Sequence, residues 1–142
     1  MRRVGALLCA AMALLIPMSA VPEEQALAIV VHRERTDALD IEDVARIYLR
    51  KRRFWDDGAP IVALHRELGT AARASFSRRV LRADPGQLRA YWDQQYFAGI
   101  FPPAVLSSGA AVKRYVATDR DAIGYIDSSE VDDSVRVALK IE

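Results

Sequence analysis

The sequence predicts an α/β protein, a central mixed sheet flanked by helices, and three observations predict it. Ala26 to His32 is a run of small and apolar residues without alternation, as expected of a strand covered on both faces. Four later segments repeat apolar residues at helical spacing behind recognisable cap residues. Short apolar runs bounded by turn residues fall between and after them. Strands and helices interleaved in this way pack as helices on a sheet.

In chain order, Ala26 to His32 reads as a central strand. Asp40 supplies an N-cap oxygen with Asp43 at the third helical position, and Ile41, Val44, Ala45 and Tyr48 form the inner stripe of a helix of about ten residues. Phe54 to Gly58 ends in a turn signal before the apolar run Ile61 to Leu64, so strand, helix, turn and strand read as a βαβ pattern. Gly69 and Thr70 open a second helix with Ala72, Phe76 and Val80 facing inward and Arg78, Arg79 and Arg82 outward. Asp84 as cap and Pro85 at the first position begin a third helix, with Leu88, Tyr91 and Trp92 inward and a stop at Gly99 and Pro102-Pro103. Ser107 or Ser108 caps a fourth, carrying Val112, Tyr115 and Val116 on one side. Asp119 to Asp121 then turns into a short strand, Ala122 to Asp127, and Val135, Val137, Leu139 and Ile141 alternate with Arg136, Ala138 and Lys140 as in a half-exposed edge strand.

The N-terminus carries Arg2 and Arg3, an apolar or small run from Val4 to Ile16, and then Pro17, Met18, Ser19 and Ala20, the order of a cleavable secretory signal. As a helix that run covers about 20 Å, short of the roughly 30 Å of a bilayer core. The expectation is a signal peptide over residues 1–20 and one domain over residues 21–142, working in the periplasm or secreted. Cys9 lies inside the apolar run, which does not fit lipid attachment, and leaves with it. The remaining chain then has no disulfide, no thiol nucleophile and no thiolate metal site. Lys and Arg number 20 against 19 Asp and Glu, so no overall charge points to nucleic acid or to a membrane surface.

No catalytic constellation stands out, and the expectation is that the chain is not an enzyme and needs no cofactor. His32 and His65 each end an expected strand; adjacent strand ends would bring them together as at most an incomplete two-ligand metal site. Asp56-Asp57 and Asp132-Asp133 sit in turn contexts, where aspartate is expected for backbone reasons. Arg50 to Arg53 reads as a solvated group suited to a helix C-terminus. Of Trp55, Tyr91, Trp92, Tyr96, Phe97 and Phe101, most read as packing.

Taken in order, the helix Ile41 to Leu49 with Lys51 and Trp55-Asp56-Asp57, then Pro60-Ile61-Val62, then Arg66 to Thr70 with Phe76, and finally Ala122-Ile123-Gly124-Tyr125-Ile126, resemble the phosphate-type solute-binding proteins of ABC transporters. The resemblance covers roughly residues 27 to 130 and implies one lobe of a periplasmic-binding-protein-like fold, because 122 residues suffice for about half of the two-lobed clamshells of that family. It implies phosphate or another small oxyanion as ligand and a transporter permease as partner. The family loop reads Arg-x-Asp-Gly-Ser-Gly-Thr; here it is Arg66-Glu67-Leu68-Gly69-Thr70, with Leu68 where the anion-binding serine stands. Arg66, Gly69 and Thr70 match, and Arg73, one turn on, adds a second guanidinium fork, so these four are the expected ligand-binding residues. Glu67 repels a dianion, pairs with Arg66, or accepts the proton of a monohydrogen oxyanion and so favours protonated species. The rival expectation is an interaction or sensory module that keeps the lobe fold without a ligand, acting on an envelope protein, with self-association as a further possibility.

Overall fold

The computed structural model describes residues 24–142; the expected signal peptide and cleavage site lie outside them. A five-stranded mixed sheet carries the fold. Its strands are β1 (Leu27–Val31), β2 (Val62–Arg66), β3 (Ala104–Leu106), β4 (Ala122–Asp127) and β5 (Arg136–Ile141), in the order β3-β2-β4-β1-β5. β2 pairs in parallel with β3 and β4, and β1 pairs antiparallel with β4 and β5.

All five residues of β1 are buried, which explains the unalternating run. Leu27, Ile29 and Val31 face a core shared with α1 (Ile41–Tyr48) and α2 (Ala71–Phe76), whereas Ala28 and Val30 face Val112 and Val116 of α4 (Gly109–Thr118). β1 is thus an interior strand between two helical layers. The Asp40 capping box forms as expected, its carboxylate accepting from the Asp43 amide at 2.7 Å. Ser108 caps α4, and β5 is an edge strand.

The structure departs from the sequence reading at three places. A βαβ unit makes its two strands parallel, but β4 lies between β1 and β2 and β1 runs opposite to both, so the first helix does not link parallel neighbours. His32 and His65 therefore stand toward opposite ends of the sheet. The strand Ala104–Leu106, following directly on Pro102-Pro103, was not foreseen; three residues are too few to show a period. The third helix, α3 (Pro85–Phe97), forms between its expected Asp84 cap and Gly99 but buries no residue. Tyr91 tethers it through a 2.6 Å hydrogen bond to the Leu49 carbonyl, while Tyr96, Phe97 and Phe101 are 63, 90 and 59% exposed. An apolar stripe becomes core only where an opposing surface exists, and α3 faces α2 and its extension across a cleft.

Candidate functional site

The C-terminal ends of the parallel strands β2, β3 and β4 form one margin of the sheet, and α2 and α4 both start there. At the start of α4 the Glu130 carboxylate already lies over Gly109 and accepts from the Asp127 amide at 3.3 Å. The start of α2 is different. Gly69 takes φ +87, with open space where a side chain would point, and Thr70 caps the helix by accepting from the Arg73 amide at 3.2 Å. The Thr70 hydroxyl also donates to the Glu67 carbonyl at 2.8 Å, so its proton is engaged within the loop.

Arg66 and Arg73 are drawn together, because Arg73 Nη1 donates to the Arg66 carbonyl at 2.8 Å. The Nε atoms of both arginines are buried without a partner among the described residues. Buried polar atoms are nearly always hydrogen-bonded, so two such donors beside one open loop leave room for an acceptor there. Of the four residues expected to bind ligand, Arg66 and Arg73 thus present free donors, Gly69 provides open backbone, and Thr70 shapes the turn.

Beneath this loop lies a buried aromatic group. Phe76 stacks on Tyr125 with centroids 4.0 Å apart, and the Tyr125 hydroxyl accepts from the Arg66 amide at 3.1 Å and shares a 2.9 Å hydrogen bond with His65 Nδ1. Tyr48 donates to the Leu64 carbonyl at 3.0 Å. Burial, with Arg73 nearby, pushes the His65 pKa down to about 3, so the ring is neutral. Burial pushes the Tyr125 hydroxyl up to about 12, although the Arg66 amide and both arginines work against it. His65 is therefore a packing and hydrogen-bonding residue beneath the arginines.

Sequence reasoning missed Arg35. It is 2% exposed, reaches Asp121 at 2.9 Å, Asp57 at 3.0 Å and Asp37 at 3.3 Å, and stacks 4.5 Å from the Trp55 ring centre. Trp55 Nε1 in turn donates to the Asp121 carbonyl at 2.9 Å. The Trp55 and Asp57 of the motif accordingly pin three loops together. Gly124 is also structural, since a Cβ there would overlap Val112 of α4. The basic group Arg50 to Arg53 is only partly solvated: Arg52 pairs with Asp43 at 3.3 Å and Asp56 at 3.1 Å, and Arg50 is half-buried.

The PBP superfamily domain model matches residues 25–139. The chain belongs to the PBP superfamily. No curated protein matches it. Among solved structures, this PBP domain is similar to a phosphate ABC transporter substrate-binding protein from Clostridium perfringens with bound phosphate, at 26% identity and a TM-score of 0.65 over 81% of this chain and 45% of that one. It is similar in fold to an ABC-type phosphate transport receptor from Vibrio cholerae, at 24% identity and a TM-score of 0.65 over 80% of this chain and 45% of that one. The PBP domain therefore spans under half the length of these structures, with the sheet and helices of a single lobe.

Proposed function

We propose that this PBP domain is an exported substrate-binding domain for phosphate or a similar oxyanion, working with an ABC transporter permease. The observation that carries the reading is the pair of buried, unpartnered Nε atoms on Arg66 and Arg73 beside the open Gly69 turn. Guanidinium forks match the oxygen geometry of a phosphate. A relative that carries bound phosphate supports the choice of anion. Calorimetry with phosphate and sulfate is the direct test. Arg66→Ala should weaken binding roughly ten- to hundredfold, as expected for loss of one charged hydrogen bond; unchanged affinity rejects these residues.

A second reading is favoured by Tyr96, Phe97 and Phe101, which present an aromatic surface unusual for a free monomer. On that reading the lobe is an interaction module for an envelope protein. Phosphate and sulfate both failing to bind, with a partner captured through Phe97, decides for it.

A further inference from the structure

Between α2, the π-helical turn Ser77–Leu81 that extends it, and α3 lies a cleft of about 890 Å³. Organic ligands occupy pockets of about 300–1,000 Å³, and a single tetrahedral oxyanion fills only a corner of this one. Ala74, Pro85, Leu88 and Trp92 give it apolar walls, while four arginines edge it. The charges are not equivalent. Arg78 pairs with Glu24 and Arg82 approaches Glu42 at 3.7 Å, whereas Arg73 and Arg89 enter no ion pair among the described residues. Asp84, the one carboxylate of the lining, caps α3 by accepting from Gln87 at 2.8 Å. Leu68, also in the lining, is 78% exposed. An inorganic anion gains nothing from a leucine there, but an apolar substituent does.

We infer that the cleft binds a free phosphate monoester carrying an apolar group, its phosphate on Arg73 and its tail along Leu88 and Trp92. The inference rests on the oxyanion reading for the head group and adds the tail. A concave apolar lining suits one substituent entering between helices, rather than a flat membrane surface.

Octyl phosphate, kept below its micellar concentration, is titrated into the full chain by calorimetry and by the fluorescence of Trp92, with Trp92→Phe identifying its signal. Inorganic phosphate, octanol and phosphatidylglycerol vesicles are the comparisons. Octyl phosphate should bind at least tenfold more tightly than inorganic phosphate, and octanol alone should not bind. Arg73→Ala should weaken octyl phosphate about tenfold or more. Leu88→Asn, which removes the apolar wall without adding charge, should reduce the octyl advantage far more than it weakens inorganic phosphate; Trp92→Ala serves if that variant does not fold. Equal affinities for the two phosphates, or an octyl advantage that survives both variants, overturns the cleft while leaving the oxyanion reading intact. Loss of both phosphates in the unaltered chain removes the two readings together. Association with vesicles in place of monomeric octyl phosphate overturns it in favour of a membrane surface.

Discussion

His65 and Arg35 show how single buried groups set the response of the fold to pH. The folded His65 ring stays neutral down to about pH 3, whereas in the unfolded chain an imidazole binds a proton near pH 6.5. The unfolded state thus holds more protons between those values, and stability should fall by several kcal/mol as pH drops through that window. His65→Gln keeps a partner for Tyr125 and removes the titration, so its urea midpoint should change less between pH 6.5 and 4 than that of the unaltered chain. Arg35 acts lower on the scale. Burial works to raise the Asp37 carboxyl, but the Asp56 amide and Arg35 outweigh it and leave its pKa below the usual value. That stabilisation is present above about pH 4 and is lost as pH falls through the lowered value. Arg35→Ala leaves carboxylates from three loops facing each other without their cation, and should cost about 3 kcal/mol at pH 7 by urea denaturation.

Among the elements, α1 and α3 end alike: the amide two residues past each C-cap reaches back to a carbonyl of the last turn, Lys51 to Arg46 and Ile100 to Gln95. The left-handed residue is Gly99 after α3 but Arg50, at φ +60, after α1. Arg50→Gly should therefore stabilise the chain by about 0.5–1 kcal/mol, read as a raised thermal midpoint. The opposite holds inside β4, where α4 packs so closely that Gly124→Ala should cost about 1–3 kcal/mol through overlap with Val112. Val112→Ala in the same chain should recover part of that loss. A double-mutant cycle by denaturation measures the coupling, and strict additivity would count against the close approach.

At the scale of the whole molecule, the arginine pair and the cleft open on one side, so one lobe supplies one wall. An anion held against one wall keeps much of its surface in water, and inorganic phosphate should bind this chain at millimolar strength at best. A second copy or a partner closing over residues 66–73 would tighten it, and the binding-competent form is then an assembly. Light scattering with and without phosphate, with Arg73→Glu as the interface control, measures this. A strict monomer binding phosphate at micromolar strength defeats the expectation.

The α/β class, the buried first strand, the caps at Asp40, Asp84 and Ser108, and the family were all legible in the sequence, because periodicity, cap chemistry and motif order are local properties of the chain. The candidate site was legible as residue types: Arg66, Gly69, Thr70 and Arg73 lie within one strand end and one helix start, where spacing along the chain is close to spacing in space. Only the tertiary structure decided the rest. Strand order depends on which edges pair, and it put β4 between β1 and β2 and kept the two histidines apart. Arg35 became a buried hub because aspartates from three separate segments meet around it, a convergence that no local window contains. Whether the stripe of α3 became core or surface likewise depended on what stood opposite, and opposite it lies a cleft. Local patterns fix how each segment folds, whereas burial and partnership are properties of pairs of segments and are decided when those segments meet.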